Sequence, residues 1–136
     1  MRWHLLETVP VKRRVRITKN GRTYTDAKTA SELKQIEAAY DGPLHLGAVA
    51  IIVKVYRSKK MRKGASEPFC QKPDADNILK AVMDGLNGKA YKDDRQVTKA
   101  LIIKEDRQPL PGEWCRFAVI PADDFTGAMV DGALID

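Results

Sequence analysis

Cysteine and histidine are scarce in this chain, with two of each (Cys70, Cys115, His4 and His45) among 136 residues. They stand too far apart for CxxC or HxxxH spacing, which leaves a zinc site without a ligand set and makes two free thiols the expectation. Long apolar runs are missing as well. The longest, around residues 49–53, stops at Lys54, far short of the roughly 18 residues that span a bilayer. The opening Met1-Arg2-Trp3-His4 has no signal-peptide layout, so a cytoplasmic protein without membrane association is expected. No internal repeat or low-complexity segment interrupts the chain. What is present, 43% hydrophobic and 31% charged residues, is enough for one compact core and argues against global disorder.

Acidic residues are unevenly missing. The last sixteen residues hold four Asp (123, 124, 131 and 136) and no Lys or Arg, leaving 24 basic against 14 acidic residues, a net +10, in residues 1–120. One basic cluster comprises Lys12, Arg13, Arg14, Arg16, Lys19 and Arg22; a second comprises Lys54, Arg57, Lys59, Lys60, Arg62 and Lys63; neither contains an acid. Clustering without counter-charge points to a polyanionic partner, nucleic acid first. A solvated lysine-rich surface is the plainer alternative. A membrane-surface role is not supported, because no apolar face is interleaved with the basic one. Residues 1–120 read as a single domain and 121–136 as an acidic tail.

Residues 3–9 alternate as a first strand, with Trp3, Leu5 and Val9 on one side and His4, Leu6 and Thr8 on the other. Asn20-Gly21 marks a turn. Ala30, Leu33, Ile36 and Tyr40 recur at helical spacing over 26–40, where Thr25, or Thr29 with Glu32, can cap the start. Residues 44–56 are apolar on both alternating faces and β-branched, the pattern of a central strand. A mobile loop is expected over 57–71. Ile78, Leu79, Val82, Met83 and Leu86 form one apolar stripe on a second helix, 76–86, stopped by Gly85, Asn87 and Gly88. Residues 97–104 and 114–120 read as two strands of an antiparallel hairpin with a long loop.

The chemistry concentrates at the second helix. In Lys72-Pro73-Asp74-Ala75-Asp76-Asn77 a loop becomes a helix, and Asp74 has a plain structural role available to it as N-cap, with Pro73 fixing the approach. Asp76 gains from the helix dipole. Lys80 and Asp84 follow Asp76 at steps of four, a row that a solvated face with i,i+4 ion pairs also explains. A second acidic pair, Asp93-Asp94, sits in a turn. Phosphodiester hydrolysis gives a reason to bring such pairs together, since Mg²⁺ takes hard carboxylate oxygens from separate elements, and a nearby ammonium such as Lys80 offsets the crowded charge.

The order Lys-Pro-Asp-x-Asp-Asn-x-x-Lys-x-x-x-Asp-x-Leu, then Asp-Asp-x-Gln-Val, carried by Lys72, Pro73, Asp74, Asp76, Asn77, Lys80, Asp84, Leu86, Asp93, Asp94, Gln96 and Val97, resembles the RusA family of Holliday-junction resolvases. The similarity runs from about Asn20 to about Lys104. It implies a small Mg²⁺-dependent endonuclease, with Mn²⁺ as a substitute, that acts as a homodimer on four-way DNA junctions and makes paired symmetric nicks. The family's essential carboxylates match Asp74, Asp76 and Asp94, with Asp93 an adjacent candidate ligand, and its functional lysine matches Lys80. Lys72, Arg13, Arg14, Arg16, Lys59, Lys60, Arg62 and Lys63 are the expected phosphate contacts. Small resolvases of this kind are bacterial or phage-encoded. Pro10-Val11-Lys12-Arg13-Arg14 stands where the family commonly has a Pro-Pro-Ser-Asn-like stretch.

The expected fold is α+β in two layers, a mixed or mostly antiparallel sheet packed against two helices, with the site at the N-terminus of the second helix. The rival expectation is a non-catalytic basic nucleic-acid-binding protein whose carboxylates merely cap and turn.

Overall fold

A computed structural model of the chain describes residues 1–13, 16–24, 27–56, 73–105 and 112–126, without the side chains of residues 16 and 24. The elements are β1 (His4–Leu6), β2 (Arg16–Ile17), β3 (Thr23–Tyr24), α1 (Ala27–Ala39), β4 (Val49–Tyr56), α2 (Ala75–Leu86), β5 (Val97–Glu105) and β6 (Trp114–Pro121). Single 3₁₀ turns precede β5 (Asp94–Gln96) and follow β6 (Ala122–Asp124). The fold is α+β, as the patterning predicts: two helices and a four-stranded mixed sheet in the order β1-β6-β4-β5.

The β-branched run of β4 is buried along its whole length. Burial on both faces explains its hydrophobicity on both faces, interrupted by the buried Lys54, and each such Val or Ile contributes about 1.5–3 kcal/mol. Val49, Ile51, Val53 and Val55 meet Ile36 of α1 and Tyr40 just after it, and Ile78, Val82 and Leu86 of α2, in a core closed by Leu6, Cys115 and Phe117. Gly85 is a packing glycine rather than a helix stop, because a Cβ there would lie 2.7 Å from the Ile36 Cβ. The positive φ that ends this region belongs to Gly88, at 81°.

The hairpin expected between the last two strands does not form. β4 lies between them, antiparallel to β6 (Ile52 opposite Ala118) and parallel to β5 (Ile52 opposite Leu101). The chain therefore leaves β4, passes through α2, and returns as a parallel strand, a crossover that strand periodicity alone does not reveal. In β1 the inward face is His4 and Leu6, while Leu5 is exposed, because β1 pairs with β6 in the register His4 opposite Phe117. Gly21 makes the expected turn, with φ of 77°, between β2 and β3. The expected mobile loop at 57–71 and the tail beyond residue 126 lie outside the described residues.

Candidate active site

The amino end of α2 is anchored from the sheet. Lys104 Nζ, near the end of β5, donates to the Pro73 carbonyl at 3.0 Å. Asp74 follows in extended conformation at the N-cap, yet its side chain makes no capping hydrogen bond. Its carbonyl, by contrast, takes the first helical bonds from Asn77 N at 3.1 Å and Ile78 N at 3.2 Å. Asp74 is exposed, and so are Asp76 and Lys80, whose Nζ lies 3.7 Å from Asp76 Oδ2 with side chains 61% and 66% accessible. Such a pair holds itself by only a few tenths of a kcal/mol, so both groups can turn to another partner. An uncapped Asp74 beside a loosely paired Asp76 offers hard carboxylate oxygens of the type that suits Mg²⁺.

A strap formed by residues 11–13 lies between the two helices. Lys12 N–H donates to the Asn77 carbonyl at 2.9 Å and Lys12 Nζ to Asp84 Oδ2 at 2.6 Å. On the other side, Glu32 of α1 is 8% exposed and accepts from Val11 N at 3.1 Å, Arg13 Nη1 at 2.8 Å and Arg13 Nη2 at 3.0 Å. A cleft of about 810 Å³ opens beside the strap, with Asp74, Glu7, Glu32, Glu113, Arg13 and Lys28 on its walls. Its lining is net acidic, which does not suit phosphate.

The second acidic pair divides into two roles. Asp93 Oδ1 accepts from Arg95 N at 2.9 Å, and Asp93 N–H donates to Gln96 Oε1 at 3.2 Å, completing a capping box on the 3₁₀ turn. The backbone N–H of Arg95 thereby holds the Asp93 carboxyl below its usual range, assisted by the Arg95 charge. Gln96 also donates to the carbonyls of His45 at 3.0 Å and Gly47 at 2.9 Å, which ties the turn to the approach to β4. Asp94 is exposed. With Asp84 it acts on the buried Tyr91 phenol, which donates to the Met83 carbonyl at 2.6 Å; burial first, then the Asp94 and Asp84 charges, push the phenol far up.

This places the expected site residues at two stations. Asp74, Asp76 and Lys80 stand at the amino end of α2, level with Lys104. Asp84, Asp93 and Asp94 gather near Tyr91 at the carboxyl end, beside the start of β5. The strand measures the gap: seven residues at about 3.3 Å each put Val97 about 23 Å from Lys104. Among the described residues no three His, Cys, Asp or Glu side chains converge closely enough to hold a metal ion.

Of the expected phosphate contacts, Arg13 is engaged by Glu32. Arg16 is described only as backbone in β2. Arg14, Lys59, Lys60, Arg62, Lys63 and Lys72 lie outside the described residues. Sequence reading assigned Glu32 only to a possible cap and missed the clamp. The signal was its place in the row Glu32, Ile36, Tyr40, a lone charge at the spacing of a buried face. No described helix is long and apolar enough to cross a membrane.

Comparison with known proteins gives two findings. The family model described as endodeoxyribonuclease RusA matches residues 7–112. A Bacillus subtilis (strain 168) protein, "Uncharacterized protein YqaN", is 41% identical over 69 residues, covering 43% of this chain and 49% of that protein. The chain thus spans about half the length of that curated relative.

Proposed function

The chain belongs to the RusA endodeoxyribonuclease family, and from that premise we propose that it is a Mg²⁺-dependent, structure-specific endonuclease that resolves Holliday junctions by paired symmetric nicks as a homodimer. The observation that supports this reading is the carboxylate of Asp74. It occupies a capping position without capping, so the structural role that would explain it is unfilled. Asp93, which does cap, shows what the structural alternative looks like in the same molecule.

Asp74 and Asp76 would hold the ion, with Asp94 the remaining carboxylate of the expected set and Asp93 beside it. When bound, Mg²⁺ supplies Lewis-acid polarisation of a phosphate and a water acidic enough to attack near neutral pH. Lys80, one helical turn from Asp76 and largely exposed, would supply an ammonium to offset charge developing on the phosphate. The basic clusters give sequence-independent affinity for the DNA backbone, with log affinity falling by roughly 0.9 per phosphate contact for each decade of salt. Junction resolution needs two cuts related by a twofold axis, and a C2 dimer presents two sites in that relation.

The test is nicking of a labelled immobile four-way junction against linear duplex, with Mg²⁺ or chelator. Paired nicks on the junction only with metal, together with an Asp76→Asn variant that binds the junction but does not cut, are expected. Tight junction binding with no nick, in Mn²⁺ as well and over several junction sequences, would replace this reading with a non-catalytic binder.

A further inference from the structure

The sheet has two faces, and α1 and α2 pack on one of them. Val49, Ile51, Val53 and Val55 point into the core with the helices, so the alternate residues of β4, Ala50, Ile52, Lys54 and Tyr56, point the other way. Register places Trp114, Arg116 and Ala118 of β6 and Leu101 of β5 on the same second face. Ala50, Ile52 and Ala118 are nevertheless fully buried, and Lys54 is 2% exposed. An isoleucine in the middle of a sheet is dry on both sides only where both faces are covered.

Towards the end of β4 this second face is cationic and short of acceptors. Arg116 stands opposite Lys54, with its guanidinium carbon 4.3 Å from the centre of the Trp3 ring. Lys54 Nζ lies 3.5 Å from Glu105 Oε1. Trp114 is stacked on Tyr56 with ring centroids 4.2 Å apart and is itself 8% exposed. The buried Trp114 Nε1 and Arg116 Nε have no hydrogen-bond partner among the described residues. Two unsatisfied donors beside two cations call for an anion.

We propose that residues 127–136 cover this face in extended form and that the Asp131 carboxylate is the anion that meets Lys54, Arg116 and the Trp114 indole. The chain is delivered to the right place. After β6, Ala122 N–H donates to the Ala48 carbonyl at 3.0 Å, and Lys99 Nζ, from the strand position opposite Ala50, donates to the Ala122 and Phe125 carbonyls at 3.1 and 3.4 Å. The described residues therefore end over the start of β4. Ten extended residues reach about 33 Å, longer than the eight of β4. Asp131 falls about 17 Å beyond Thr126, and Lys54 about 13 Å beyond Ala50, so acid and cations come level. Met129, Ala133 and Ile135 share the side of Asp131 in an extended chain and match the apolar remainder of the face. Other segments fit worse. Residues 57–63 would add Arg57, Lys59, Lys60, Arg62 and Lys63 to a face already cationic, and residues 106–111 offer one Leu between two Pro. The inference is independent of the nuclease reading, and it makes the acidic end of the chain part of the domain.

The chain has two tryptophans, which makes the test direct. Trp3→Phe keeps a ring beside Arg116 and leaves Trp114 as the sole indole. In that protein acrylamide is expected to quench Trp114 weakly, and several-fold more strongly once Met129→Ser and Ile135→Ser are added. Asp131→Asn should lower the urea midpoint, whereas Asp136→Asn, past the end of β4, should not. Strong quenching with residues 127–136 unaltered, or quenching and midpoints that ignore every substitution there, overturns the proposal. Protection of Trp114 that grows with protein concentration, or that needs added four-way junction, also overturns it, because the cover is then a second copy or nucleic acid.

A spin label provides a second measurement without disturbing the contact. In the Trp3→Phe, Cys70→Ser background a nitroxide is attached at Leu134→Cys, on the outer side of the extended chain; Cys115, buried and with its thiol pushed up to about 12, does not compete for it. That label is expected to quench Trp114, while the same label at Leu46→Cys, exposed before the start of β4, is not. Equal emission from the two labelled proteins removes residues 127–136 as the occupant.

Discussion

Replacing Glu32 by Ala removes the acceptor for three donors at once, the Val11 amide and two guanidinium nitrogens of Arg13. Breaking a buried ion pair from one side typically costs about 3–5 kcal/mol, because the surviving charge is stranded. The Glu32 side chain is 9% accessible but that of Arg13 is 26%, so Arg13 can recover part of its hydration, and a loss of about 2–4 kcal/mol is expected. For a chain of this size that lowers the melting temperature by roughly 8–15 °C. Glu32→Gln keeps the shape and the Val11 acceptor and should lose about half as much. Denaturant unfolding of Glu32→Ala, Arg13→Met and the double variant would read the coupling directly, expected above about 1.5 kcal/mol. The loss should persist in high salt, since burial limits screening. Single losses under about 0.5 kcal/mol that simply add would refute the reasoning, because that is how a solvated surface pair behaves. Functionally the clamp matters because the strap it holds bonds to Asn77 and Asp84 of α2. A loosened strap should therefore weaken junction binding as well as stability.

Three further outcomes are expected. Gly85→Ala should destabilise despite a helix-propensity gain of about 1 kcal/mol, because the new methyl meets Ile36 at 2.7 Å and overpacking costs about 1–3 kcal/mol; denaturant midpoints that rise would show that α1 can move aside freely. Asp93→Ala should lower the melting temperature by removing the capping box, whereas Asp74→Ala should leave it within about 0.5 kcal/mol of wild type while abolishing nicking; the reverse pattern would exchange their roles. His4, buried between Tyr40 and Phe117 and facing Asp41, has its pKa held below 6.5 chiefly by burial, with Asp41 opposing. The unfolded chain then binds a proton that the folded one resists, so stability should fall as pH drops from 6.5 through the folded pKa. His4→Asn should flatten that part of the melting-temperature profile, and an unchanged slope would remove His4 as its cause.

Local periodicity carried much of this fold. The stripe Ile78, Val82, Leu86 and the apolar block of β4 are visible in sequence because each repeats at the period of its own backbone. What stayed hidden depends on partners distant in the chain. Whether 97–105 and 114–121 pair with each other or with β4 changes neither pattern. Leu5 and Leu6 are equally apolar, and only the pairing of β1 with β6 turns Leu6 inward. Gly85 reads as a stop until Ile36 is placed against it.

The carboxylates teach the same lesson at finer grain. Asp74 and Asp93 both precede a helical turn, and both are N-cap residues by type. Gln96, three residues after Asp93, supplies the reciprocal side chain that completes a capping box, a spacing readable in advance. Asp74 has Asn77 at the same offset, too short to return the bond, and its own carboxylate makes no capping bond to the helix amides. The helix thereby forgoes a cap that stabilises by about 0.5–2 kcal/mol at the one end fixed from the sheet by Lys104. External anchoring of this kind lets a helix start be held without its N-cap side chain. That leaves the Asp74 carboxylate available to a ligand while α2 keeps its position, which is the division of labour that the proposed role of Asp74 would require.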